Sequence, residues 1–181
     1  MTDDVRRQIV DFLPRLRRFA CALTGDLDRA DDLVQETCLR ALSRLDQWEQ
    51  GTRLDSWMYR IAQNIWYDRI RALKVRGEVV DIDTAHDLPG EDGRKVTESR
   101  LALGDVAAAI GQLPPDQKVV IALVCVDGLS YKQAAEILEV PIGTVMSRLA
   151  RARQALFTAT HYEDPIATLP EPEKSCGRSV R

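Results

Sequence analysis

"SYKQAAEILEVPIGTVMSRLARAR", residues 130–153, reads as two short helices on either side of a sharp break. Ser130 with Gln133 three residues later matches a capping box, and Leu129 with Ala134 forms its hydrophobic staple, so a helix begins at Tyr131. Ala134 and Ala135 are small enough to admit a neighbouring helix closely, Ile137 and Leu138 supply core, and Val140-Pro141 ends the run. That order of parts predicts a helix-turn-helix. At about 100° per residue, Ile142, Val145, Leu149, Ala152 and Leu156 of the second helix share the core side. Gly143, Thr144, Ser147, Arg148 and Arg151 spread over the other side. Between Val140 and Tyr162 there are three arginines and no acid. Hydroxyls and guanidiniums with no carboxylate to neutralise them match a DNA major groove, with Arg148 and Arg151 as base readers. Arg153 lies nearer the core edge and suits a phosphate clamp.

Charge along the chain repeats the theme. The formal net charge of −3 is unpromising for a nucleic-acid binder, but a phosphate senses local charge. Arg53 to Arg76 holds six basic residues against two acids, and Gly77 to Glu98 holds seven acids against Arg94 and Lys95. Two basic segments therefore flank an acidic one.

The remaining chain reads as helix throughout. Val5, Ile9, Phe12, Leu13, Leu16, Phe19, Ala20 and Leu23 recur at helical spacing from about Asp3, across Pro14, until Thr24-Gly25-Asp26 stops the run. Further helices are predicted from about Asp28 to Gln47, Leu54 to Leu73, Glu98 to Leu113 and Pro115 to Val126, with the last two at Tyr131 to Glu139 and Ile142 to Thr158. Nothing alternates with period two for long. The fold class is all-α: a helical domain over residues 1–76, a flexible acidic linker over 77–97, a helix-turn-helix domain over 98–160, and a proline-rich, disordered tail over 161–181.

Within the first domain, "RLDSWMYRIAQNIWYDRIRA", residues 53–72, mixes aromatic and basic residues on one helix. Leu54, Met58, Ile61 and Ile65 share a core face, and Arg53, Arg60, Asn64, Tyr67 and Arg71 form a polar stripe. A positive groove with flat side chains suits unpaired bases, which stack for about 1–3 kcal/mol each. Tyr59 and Trp66 fit either that role or packing against a neighbouring helix. The preceding helix shows Asp32, Gln35, Glu36 and Ser43 outward, with Leu39 among them. An apolar anchor in an acidic face fits a basic protein partner, although single exposed leucines are also ordinary.

Several chemistries find no support. Cys21, Cys38, Cys125 and Cys176 are far apart, no metal site is expected, and three of them read as core. No catalytic spacing, phosphate loop, cofactor site or small-molecule substrate site is recognisable. The charged first twenty residues are unlike a signal peptide, and no apolar run approaches the roughly 18 residues of a membrane span, so a cytoplasmic protein without membrane insertion is expected.

Taken together, Asp32-Leu33-Val34-Gln35-Glu36-Thr37, Trp57-Met58-Tyr59-Arg60-Ile61-Ala62-Gln63-Asn64, Leu113-Pro114-Pro115, Gly128-Leu129-Ser130-Tyr131 and Gly143-Thr144-Val145-Met146-Ser147-Arg148 resemble, in that order, the bacterial extracytoplasmic-function sigma factors of the sigma-70 superfamily. The resemblance implies an initiation factor for RNA polymerase, not an enzyme. A region 2-like domain would bind the clamp helices of the polymerase largest subunit through Asp32, Gln35, Glu36, Leu39 and Ser43. It would hold the melted minus-10 strand with the loop from Asp46 to Arg53 and with Arg53, Arg60, Asn64, Trp66, Tyr67 and Arg71. A region 4-like domain would meet the polymerase flap and put Thr144, Ser147, Arg148, Arg151 and Arg153 at the minus-35 element. An anti-sigma factor is expected by analogy. Met146 stands where the family often has Lys, and Gln133-Ala134-Ala135 replaces a common Glu-Ile-Ala. A conventional helix-turn-helix regulator with a dimerising or sensing first half is the competing reading.

Overall fold

A computed structural model describes residues 2–49, 51–76, 104 and 106–160. Helix α1 spans Thr2–Thr24. Its apolar residues at three- and four-residue steps, Val5, Ile9, Phe12, Leu16, Phe19 and Leu23, are all buried. Pro14 sits inside the helix on its exposed side, and the helix runs on to Thr24. Gly25, at φ 68°, turns the chain out of α1 while its N–H donates to the Cys21 carbonyl. Asp26 then caps α2, Leu27–Ser43, by accepting from the Arg29 N–H at 2.8 Å. The helix expected to reach Gln47 instead ends at Ser43 and passes into a 3-10 turn, Leu45–Gln47.

Helix α3, Leu54–Arg76, closes a three-helix unit with α1 and α2. Leu54, Met58 and Ile65 are buried as their shared face predicts, Ile61 of that face is only half-buried, and Tyr59, Ala62 and Trp66 are buried as well. The Tyr59 ring lies edge-on to Phe12 and Phe19, each with centroids 4.9 Å away. Thr37, buried in α2, returns its hydroxyl proton to the Leu33 carbonyl at 2.7 Å, so no polar group is stranded there.

The second half begins in the described residues with a short helix α4 over 106–112. Pro115 opens α5, Pro115–Ile121, at a position where its missing N–H costs nothing. The chain widens into one π-helical turn, Ala122–Val126, closed by the Asp127 N–H on the Ala122 carbonyl at 3.0 Å. Gly128, at φ 72°, redirects the backbone into α6, Tyr131–Leu138. The capping box forms as read: Ser130 Oγ accepts from the Gln133 N–H at 3.2 Å, and Gln133 Oε1 accepts from the Ser130 N–H at 2.9 Å. Glu139, left-handed at φ 53°, ends α6, and α7, Ile142–Thr160, follows after Pro141.

The two halves do not stand apart. Helices α1 and α3 pack against α5, the π turn and α6, and a single apolar core runs from Val5 to Ala152. That contact explains why α3 is buried on two sides, which its own sequence could not disclose. The linker and tail assigned to 77–97 and 161–181 lie outside the described residues. Among the described residues there is no strand, no helix long and apolar enough to cross a membrane, and no cluster of three metal-ligating side chains. Of the three described cysteines, Cys21 and Cys38 are half-buried as free thiols, whereas Cys125, read with the core, is exposed.

Lys118 is a charged residue that the fold buries, at 5% exposure, and burial pulls its ammonium down to about 8 from the ordinary 10.5. Folding therefore works against the charged form at neutral pH. Lys118→Met is expected to stabilise the chain at pH 7 by about 1–2 kcal/mol, allowing for residual water at the ammonium. The native Lys sheds its proton near pH 8 when folded but near 10.5 when unfolded, so native stability rises across that window. The advantage of the variant is full below about pH 8 and shrinks towards 10.5, which melting curves at pH 7 and pH 10 will show.

Candidate nucleic-acid interface

Helix α7 is anchored through Val145, Leu149 and Ala152, all buried against α5 and α6. This fixes which side faces outward. Gly143, Ser147, Arg151 and Arg153 are exposed, and Thr144 is half-buried beside them. Ser147 Oγ donates to the Thr144 carbonyl at 3.0 Å and Arg151 Nε to the Ser147 carbonyl at 3.3 Å, which steadies both side chains along the helix surface. Neither Arg151 nor Arg153 meets a carboxylate among the described residues.

Arg148 behaves differently from its neighbour. Its Nε lies 3.0 Å from Asp116 Oδ2 of α5, and its side chain is only 24% exposed. In this arrangement it ties α7 to α5 at the flank of the outward face, a contact that Arg151 does not make. The partner acid comes from another helix, so the acid-free window around α7 did not reveal it. Ile142 also departs from its expected core position and is exposed, as is Met146 at 52%. Among the described residues, no neighbouring helix covers them at the start of α7.

The α3 stripe is present but largely engaged. Arg53 pairs with Asp55 at 2.6 Å and Arg71 with Asp68 at 3.2 Å, while Asn64 is exposed. Arg60 is held by the second half: its Nη1 meets Glu139 Oε1 at 2.8 Å and its Nη2 donates to the Glu136 carbonyl at 3.1 Å. Tyr67 is half-buried, packs at 5.4 Å from Trp66, and burial raises its phenol above the usual range. Trp66, at 5% exposure, is core here and offers no open face for a base. Arg60 Nε and Gln63 Oε1 are buried with no partner. Each such group costs about 1–3 kcal/mol relative to a satisfied one.

Asp127, at the end of the π turn, was not singled out from sequence. Its carboxylate is fully buried and accepts from Arg15 Nη2 at 2.7 Å, from Arg18 Nη2 at 3.3 Å and from the Tyr59 hydroxyl. Burial, then the bond to Asp127, drives the Tyr59 phenol far above its ordinary range. No local pattern marks Asp127, because its partners lie 68 to 112 residues away in α3 and α1.

The outward face of α2 comes out as read, with one adjustment. Asp32, Gln35, Leu39 and Ser43 are exposed, Leu39 at 69%, and Leu42 adds a second exposed leucine three residues on. Glu36 is half-buried: Arg69 and Arg40 each reach it at 2.6 Å, and the Arg69 contact chiefly holds its carboxyl below the usual range. It braces α2 against α3 while its neighbours stay open.

Residues 9–76 match the family Sigma-70 region 2, and residues 103–156 match Sigma-70, region 4. The chain is 40% identical to ECF RNA polymerase sigma factor EcfG of Rhodopseudomonas palustris, over 91% of this chain and 88% of that protein. It is 31% identical to ECF RNA polymerase sigma factor SigW of Bacillus subtilis, over 84% and 87% of the two chains. Among solved structures it resembles the sigma factor RpoE in complex with the anti-sigma factor NepR from Bartonella quintana. That match has a TM-score of 0.71 at 31% identity, over 89% of this chain and 99% of that one.

Proposed function

The chain belongs to the ECF RNA polymerase sigma factors, and on that premise we propose how its faces divide the work of promoter-specific initiation. Sigma-70 regions 2 and 4 serve minus-10 and minus-35 recognition, and the family acts in transcription rather than as enzymes. Residues 1–76 form the unit that binds core polymerase and captures the minus-10 strand, 77–97 the connector, and 98–160 the minus-35 reader. Thr144, Ser147, Arg151 and Arg153 present the major-groove face, with Arg148 at its edge. Arg53, Arg60, Asn64, Tyr67 and Arg71 hold the separated strand. Asp32, Gln35, Leu39 and Ser43, joined by Leu42 and braced through Glu36, meet the clamp helices. The protein works in the cytoplasm, where core polymerase is, and an anti-sigma factor is a partner, as one is for the Bartonella quintana relative.

The observation that carries the α7 assignment is its exposed, carboxylate-free stretch of Ser147, Arg151 and Arg153 on a helix locked by its opposite side. A guanidinium already neutralised by an acid would have to be freed before it reached DNA; Arg151 needs no such step. Binding of labelled promoter duplex by the purified chain, with and without core polymerase, tests the reading. Weak binding alone and tight binding with core enzyme is the expected result. Tight, symmetric binding to an operator without polymerase would instead establish a conventional regulator.

A further inference from the structure

We propose that a lane of exposed apolar side chains on α7 is the seat of the segment that follows it, residues 161–173, which docks there antiparallel to the helix. The docking stands on the surface of α7 alone; its effect on promoter binding rests on the reading above. Ile142, Met146 and Phe157 are 49%, 52% and 42% exposed. At about 100° per residue they fall, with exposed Ala150 and Arg153, within about 80° of one another, so they form a row along the helix. A contiguous apolar row left open marks an interaction surface. It runs beside Ser147 and Arg151, and Arg153 stands within it. A DNA backbone offers phosphate to the arginines but nothing to the apolar row. An acidic segment with apolar residues in it offers both.

The sequence directly after α7 has that composition. "HYEDPIATLPEPE", residues 161–173, carries Glu163, Asp164, Glu171 and Glu173 and no Lys or Arg, with Ile166 and Leu169 between the two acidic pairs. Helix α7 has the reverse: Arg148, Arg151 and Arg153, and no acid over Ile142–Thr160. Reach agrees with charge. Met146 lies about 21 Å back along the helix from Thr160, at 1.5 Å per residue. Leu169, nine residues beyond Thr160, reaches about 28 Å at the 3.1 Å per residue of a proline-rich extended segment, which leaves slack for the reversal. In that register Ile166 comes level with Ala150, Glu163 and Asp164 approach Arg153, and Glu171 and Glu173 approach the first turn of α7. That turn carries no acid of its own, and its backbone N–H groups favour one. Pro165, Pro170 and Pro172 have fixed φ and no N–H to satisfy, so the segment gives up little entropy on seating.

A seated segment competes with duplex DNA for Arg151 and Arg153. With about four-fifths of free chains holding it, a duplex finds about one-fifth of them competent, and its apparent affinity falls about fivefold. Amide resonances of the nitrogen-15-labelled full chain test the docking without DNA or polymerase. Ile166→Ser combined with Leu169→Ser keeps every charge and touches none of the described helices. It is expected to shift the amides of residues 142–157. Met146→Ser, made from the other side, should shift those of residues 166–169. In a fluorescence titration at low salt, a labelled duplex carrying a minus-35 segment should bind the Ile166→Ser, Leu169→Ser chain about fivefold more tightly than the native chain. Shifts confined to the substituted segment would overturn the docking, whatever the titration gives. Shifts across α7 with unchanged duplex affinity would uphold the docking and count instead against α7 as the duplex-reading face.

Discussion

Replacing Arg151 with Ala is expected to lower minus-35-dependent initiation by about 10- to 100-fold while leaving affinity for core polymerase unchanged. A bidentate guanidinium contact to a base edge gives about 1–3 kcal/mol of discrimination, and each 1.4 kcal/mol is tenfold. Arg151 is exposed and meets no carboxylate among the described residues, so its fork is open to a base. Arg148→Ala serves as the contrast: it removes the 3.0 Å contact to Asp116 and should act partly through the seating of α7 on α5. Run-off transcription from templates with intact and scrambled minus-35 elements separates the two. Loss of activity on both templates alike from Arg151→Ala would show that the residue does not read that element.

The second large effect belongs to α2. Leu39→Asp is expected to weaken association with core polymerase about 30-fold or more, the scale of an interface anchor near 2 kcal/mol. Leu39 is 69% exposed beside Leu42, with Asp32, Gln35 and Ser43 around the pair, so an apolar centre sits within a polar rim. The change touches no core residue of the isolated chain, and its melting temperature should stay within a degree or two. Titration of labelled core enzyme measures the loss. Unchanged affinity would take this face out of the polymerase interface.

How much of this was legible beforehand depended on the range of the interactions. The helix-turn-helix was readable because a capping box, a staple and a proline break all act within a few residues, and Ser130, Gln133 and Leu129 take up those roles in the fold. The core face of α1 followed from periodicity alone, apart from Leu13, which is half-buried. What the sequence concealed arises from contacts between distant segments: Asp116 on Arg148, Arg69 on Glu36, and the Arg15, Arg18 and Tyr59 cage around Asp127. Trp66 and Tyr59 show the same limit. Periodicity left them between base stacking and helix packing, and contact with α1 and the second half of the chain makes them core.

The most direct measurement is reconstituted transcription with the purified chain, core RNA polymerase and genomic fragments carrying mapped start sites. Transcripts should begin at discrete positions only when the chain is present, and should vanish when either the minus-10 or the minus-35 segment of the template is scrambled. Core enzyme that gives the same transcripts with and without the chain, under conditions where the chain is folded, would contradict the assignment of α2, α3 and α7 to polymerase and promoter.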